Sequence, residues 1–104
     1  MDPEILRQDK NEEEAAVFAA FSDPTRLKLV KLLARQDVSG ALCVNALAGV
    51  LSVSQSAVSQ HLRILKNIGL VSGERQGYRI HYIINRQALE RYRELISTAL
   101  SIKE

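Results

Sequence analysis

The sequence predicts a mainly α domain that carries one small β-hairpin. Three observations predict it. Apolar residues recur at helical spacing in about five segments bounded by cap and turn residues. Two of these segments, 44–51 and 54–67, are separated by only three residues. After Gly69 the pattern changes to alternating β-formers around Gln76-Gly77. Helix, short turn, helix and hairpin, in that order, are the parts of a winged helix-turn-helix.

At 104 residues the chain fits one domain, 1–104, with no internal repeat or linker. A core of this size is modest and is often completed by association. With 46% apolar and 25% charged residues, the chain has the balance of a soluble globular protein. Trp is absent and only 5% of residues are aromatic, which argues against a large aromatic ligand cage. No stretch is long and apolar enough to cross a bilayer, so no membrane partner is expected. Met1-Asp2-Pro3-Glu4 lacks the basic-then-apolar pattern of a secretory signal. The single cysteine, Cys43, excludes an intrachain disulfide and suits a reducing compartment. A cytoplasmic location is expected.

Residues 1–11 are polar and are expected to form a flexible arm. Glu12–Phe21 reads as a helix, with Glu12, Glu13 and Glu14 at the positive end of its dipole and Val17, Ala20 and Phe21 on one face. Asp23 can cap the next helix and Pro24 suits its first position. Leu27, Val30 and Leu33 or Ala34 follow at helical spacing, the helix stops near Arg35–Gln36, and Ser39-Gly40 mark a turn. A short helix over 44–51 turns Leu47 and Val50 or Leu51 inward. Ser54 caps the helix that runs to Asn67, and Gly69 terminates it. Residues 70–75 and 78–84 form the hairpin. Asn85 caps a last helix, 86–101, with Leu89, Tyr92, Ile96 and Ala99 or Leu100 on one face.

Charge is unevenly distributed. Residues 1–21 carry six acids and two bases, whereas residues 22–104 carry twelve bases and six acids. A basic body suits an anionic partner. The helix from Ser54 has one apolar face, Val58, Leu62 and Leu65, and one hydrogen-bonding face, Ser56, Ser59, Gln60 and Arg63. Except for Arg63 that second face is uncharged, so it can approach base edges closely. Gln and Arg can match the donor and acceptor pattern of the major groove, with Ser less selective. The start of the second helix of a helix-turn-helix does this reading. Gln55, Ser56, Ser59 and Gln60 are therefore candidates for base or nearby backbone contact, beside the cap Ser54. Arg63 and Lys66 are candidates for phosphate contact. Arg75, Gln76, Gly77 and Arg79 cluster at the hairpin tip, opposed only by Glu74, and can meet phosphates or a minor groove.

These segments carry a family resemblance. Phe21-Ser22-Asp23-Pro24-Thr25-Arg26-Leu27, Leu42-Cys43-Val44, Ser54-Gln55-Ser56-Ala57-Val58-Ser59-Gln60-His61-Leu62 and Gly69-Leu70-Val71 resemble the ArsR/SmtB family of winged-helix repressors, in continuous order over about residues 16–84. The resemblance implies a homodimer built by the first and last helices, with 86–101 as a dimerisation helix. It implies repression of a double-stranded DNA operator, relieved by a metal, metalloid or other signal. His61 lies at the family's usual histidine and is a candidate to contact the DNA backbone or help pack.

The same resemblance leaves the inducer open. Many members hold arsenite or soft metals with Cys-x-Cys at the start of the third helix, but here Cys43-Val44-Asn45 places Asn45 at the second position. Thiophilic ions want several thiolates, so that site is incomplete. Other members bind zinc-like ions between the last helices, where this chain offers only Glu90 and Glu94, short of the usual four good ligands. His61 and His81 fall on different elements. No metal or other cofactor is expected. Cys43 has two readings, a thiol-reactive switch at a helix start or an inert packed residue. Catalysis is not expected, since no thiol or serine nucleophile has a recognisable base and no phosphate-binding glycine loop occurs. A winged helix that binds protein instead of DNA is the alternative function.

Overall fold

Cap residues set the boundaries of most elements. In the computed structural model, which describes residues 8–35 and 42–101, the order is α1 (Gln8–Phe21), α2 (Pro24–Ala34), β1 (Leu42–Cys43), α3 (Val44–Leu51), α4 (Gln55–Asn67), β2 (Val71–Gln76), β3 (Arg79–Ile84) and α5 (Arg86–Ala99). This is the expected winged helix-turn-helix. The Asp23 carboxylate accepts from the Arg26 amide at 2.9 Å, with Pro24 in the first turn. Ser54 Oγ accepts from the Ala57 amide at 3.0 Å, and Asn85 Oδ1 accepts from the Ala88 amide at 3.0 Å. Each bond satisfies an amide that a helix start leaves orphaned.

Two backbone reversals connect α3 to α4 and α4 to the sheet. Ser52 adopts the left-handed region with φ 55°, a conformation that costs a non-glycine residue about 1 kcal/mol. That turn, residues 52–54, reaches α4 in three residues, as expected. Gly69 takes φ 75° without a Cβ penalty. The Gly69 amide donates to Lys66 O at 2.9 Å and the Leu70 amide to Leu65 O at 3.0 Å, closing the end of α4.

The three strands are antiparallel in the order β1-β3-β2. Val71 pairs with Ile84, and the ladder continues to Gln76 opposite Arg79. β1 adds Leu42 opposite Tyr82 and Cys43 opposite His81. Val58, Leu62 and Leu65 of α4 are buried with Val17 and Ala20 of α1, Leu29, Val30 and Leu33 of α2, Leu47 of α3, and Leu70, Val71, Ile84 and Tyr92. Tyr92 keeps its hydroxyl satisfied by donating to Ile68 O. The Arg86 guanidinium donates to Ala34 O at 2.9 Å, fastening the start of α5 to the end of α2.

Several expectations need correction. α1 begins at Gln8, not Glu12, because its first turn is polar and has no apolar period to announce it. On α2 Leu29 joins the expected Val30 and Leu33 in the core, and Leu27 is exposed, since the inward arc runs 26, 29, 30, 33 and includes Arg26. On α3 the expected choice between Val50 and Leu51 falls to Leu51, which is half-buried, while Val50 is 62% exposed. The hairpin loop is Gly77-Tyr78, one residue later than Gln76-Gly77. Gly77, with φ 67°, occupies the first loop position, where positive φ is needed. α5 ends at Ala99, and Ala99 and Leu100 are both exposed. The sheet has a third strand, β1, whose two residues are too few to alternate visibly. The expected Ser39-Gly40 turn lies outside the described residues, as do residues 1–7 of the expected arm.

Candidate nucleic-acid interface

The amphipathic pattern of α4 turns one face inward and leaves the other to solvent. Ser54, Gln55, Ser56, Ser59, Gln60, Arg63 and Lys66 are all exposed, while Val58, Leu62 and Leu65 are buried. Gln55 Nε2 donates to Asn45 Oδ1 of α3, which ties the two helices of the turn together at their starts. Asn45 thus has a place in this arrangement that the sequence reading did not give it. The spacing of residues 45 and 55 across a short turn is the only sequence signal for it.

The wing presents Arg75, Gln76, Gly77 and Arg79, all exposed. Tyr78 was not singled out from the sequence, yet it is 90% exposed at the tip, with the Arg79 guanidinium 6.0 Å from its ring centroid. An aromatic residue at the loop position of a basic hairpin was the available signal. Among the described residues, Arg63, Lys66, Arg75 and Arg79 have no carboxylate partner. A cleft of about 290 Å³ lies between α4 and the sheet, lined by Ser59, Leu62, Arg63, Lys66, Asn67 and Tyr82. It joins the exposed face of α4 to Tyr82 of β3, the strand that continues into the wing.

His61 is placed differently from its α4 neighbours. Its side chain is only 19% exposed. Nδ1 lies 3.2 Å from Arg26 Nη1 and Nε2 lies 3.7 Å from Asp23 Oδ2. The Arg26 amide, donating to the Asp23 carboxylate, is the main cause that holds this carboxyl below its ordinary value of 3.8. Desolvation opposes the shift, and the neighbouring His61 ring and the Arg26 guanidinium add to it.

Cys43 is a half-buried free thiol at the start of α3; its side chain makes no cap bond, and its cross-strand neighbour is His81. Among the described residues no group of three or more His, Cys, Asp or Glu side chains could hold a metal ion, and no helix is long and apolar enough to cross a membrane.

The family profile described as "Bacterial regulatory protein, arsR family" matches residues 23–72, from the cap of α2 to the start of β2. A transcriptional repressor SmtB homolog from Synechocystis sp. is 40% identical over 94 residues, covering 89% of this chain and 68% of that protein. The chain belongs to the ArsR family. Among solved structures, NolR from Sinorhizobium fredii superposes with a TM-score of 0.72 at 29% identity, covering 99% of this chain and 97% of that one. The homodimeric winged helix-turn-helix DNA-binding domain Mb0332 from Mycobacterium bovis superposes with a TM-score of 0.66 at 27% identity, covering 95% and 86%. This ArsR-family member is a winged helix-turn-helix transcriptional regulator.

Proposed function

We propose that the protein is a cytoplasmic repressor that binds a double-stranded DNA operator as a homodimer and is released by a small signal. In this reading Gln55, Ser56, Ser59 and Gln60 read base edges. Arg63 and Lys66 hold phosphates beside them. Arg75, Gln76, Gly77 and Arg79 bring the wing onto the backbone or into the minor groove. The observation that carries it is the pairing of an exposed, uncharged, hydrogen-bonding helix start with four cations that have no carboxylate partner among the described residues.

The dimer is proposed through α1 and α5, which already share the Arg91–Glu13 ion pair at 2.5 Å. Apolar surface remains uncovered there, at Phe18 on α1 and at Leu100, 65% exposed, after α5. The signal is of unassigned chemistry. An arsenical or metal, or oxidation at Cys43, would each have to favour one dimer state over the other.

The test is a binding titration with a duplex enriched from a random-sequence pool by the protein itself. Affinity is expected to fall steeply with salt, because displaced counterions accompany each phosphate contact. Gln60→Ala is expected to lose about tenfold or more on the enriched duplex and little on a scrambled one, in keeping with the worth of a good base contact. Equal losses on both duplexes would refute base reading by Gln60, and a duplex that never binds would favour a protein partner.

A further inference from the structure

Asp23, Arg26 and His61 make a polar junction where three helices meet. Arg26 lies in the first turn of α2 and is half-buried. Its Nε donates to Ala20 O at 2.7 Å and its Nη2 to Ala19 O at 3.1 Å, both in the last turn of α1. Its remaining arm, Nη1, reaches His61 Nδ1 of α4 at 3.2 Å. A guanidinium only donates, so Nδ1 is the acceptor and the ring hydrogen sits on Nε2. Nε2 lies 3.7 Å from Asp23 Oδ2, the same oxygen that caps α2 by accepting from the Arg26 amide.

We infer that His61 is a positioning residue: it fixes how α4 is presented to DNA and does not itself touch the duplex. The inference rests on the proposed DNA reading and deepens it. The rest of α4 is held by the buried Val58, Leu62 and Leu65 and, at its start, by the Gln55–Asn45 bond to α3. Apolar burial decides which face of the helix turns inward and how deeply it sits, but being non-directional it defines small rotations and shifts less sharply than a hydrogen bond does. Hydrogen bonds are directional and weaken steeply with misalignment. The Arg26–His61 bond, in the middle of the helix, together with the Gln55–Asn45 bond at its start, therefore refines the angle at which Ser56, Ser59 and Gln60 leave the surface. His61 follows Gln60 directly, so any rotation at one is a rotation of the other. Through Arg26 the same bond ties α4 to the end of α1, one of the two proposed dimer helices. The relative orientation of the two protomers is thereby passed to the reading helix through one guanidinium.

The experiment uses full-length protein, the enriched duplex and a scrambled duplex of equal composition, at fixed salt and pH. His61→Ala, Arg26→Lys and the double variant are compared with wild type. Lysine keeps the charge but cannot reach three separate acceptors in the fork geometry of arginine. Each single variant is expected to lose about tenfold on the enriched duplex, and the double variant no more than the weaker single, because members of one network do not add. Affinity for the scrambled duplex is expected to stay unchanged. Additive losses would overturn the inference, since His61 would then act independently of Arg26 as a direct DNA contact. Wild-type affinity in His61→Ala would overturn it as well. Amide NMR shifts of the free protein give a second arm that needs neither DNA nor the Arg26 variant. Changes in His61→Ala that extend across residues 55–60 and into the end of α1 support the junction, and changes confined to the neighbours of residue 61 overturn it. If the wild type enriches no duplex, the proposed function fails, and the NMR arm judges the junction separately.

Discussion

At the scale of single residues, Asp23 shows how one carboxylate serves two ends. It caps α2 and faces the imidazole of α4. Because folding lowers its pKa from 3.8, chiefly through the Arg26 amide, the folded state binds its proton less readily than the unfolded chain. The associated stability is fully present above pH 3.8 and is lost as pH falls through the lowered value. Asp23→Asn, which keeps a good cap but not the charge, is expected to flatten this acid limb by removing that contribution at neutral pH, so the variant is less stable than wild type near pH 7 and approaches it in acid; urea midpoints measured from neutral pH downward check it. The cap was legible because Asp23-Pro24 is a local signal. The tie to His61 was not, because Arg26 and His61 are 35 positions apart and only the folded chain brings them together. Nothing in the spacing distinguishes a histidine turned toward DNA from one turned toward Arg26.

At the scale of elements, α4 was the most readable part of the chain. Ser54, the 58–62–65 stripe and Gly69 state its start, its buried face and its end, and all three hold in the structure. Its two faces predict opposite mutational signatures. Leu62→Ala is expected to cost about 2–5 kcal/mol of stability, as a buried leucine truncated to a cavity does. Ser59→Ala is expected to shift stability by no more than about 0.5 kcal/mol yet weaken binding to the enriched duplex. Thermal unfolding and duplex titration of both variants separate the two effects. α2 was read less well. Leu27 and Leu29 both fit a helical stripe, and the choice between them depends on which side meets α1 and α4, which is tertiary information. β1 was missed for a different reason: its pairing with β3 is decided by where Tyr82 and His81 lie, and its two residues have no period of their own.

At the scale of the whole molecule, the chain measures 53 × 24 × 23 Å with a radius of gyration of 15.6 Å. A compact domain of this length has about 13 Å. The elongated outline, with apolar Phe18 and Leu100 uncovered, is that of a protomer that gains its remaining burial from a second copy. The protein is expected to be a dimer by light scattering at micromolar concentration, with a melting temperature that rises with protein concentration, as mass action requires. A monomer with a concentration-independent melting temperature would remove α1 and α5 as an interface. The fold class was legible because the order of helices, turn and hairpin is a property of the chain. Which apolar residues stay outside was not, since the stripe on α5 reads the same whether it covers its own core or a partner.

The root of the hairpin is clamped more firmly than its end. Leu70 and Ile84 are buried, the Asn85 amide donates to Leu70 O at 2.7 Å, and β1 braces β3 at His81 and Tyr82. From Ile80 to the loop, the two strands pair only with each other among the described residues. The hairpin is thus a cantilever, and a load placed on its overhang becomes a torque at Leu70, immediately after the glycine that ends α4.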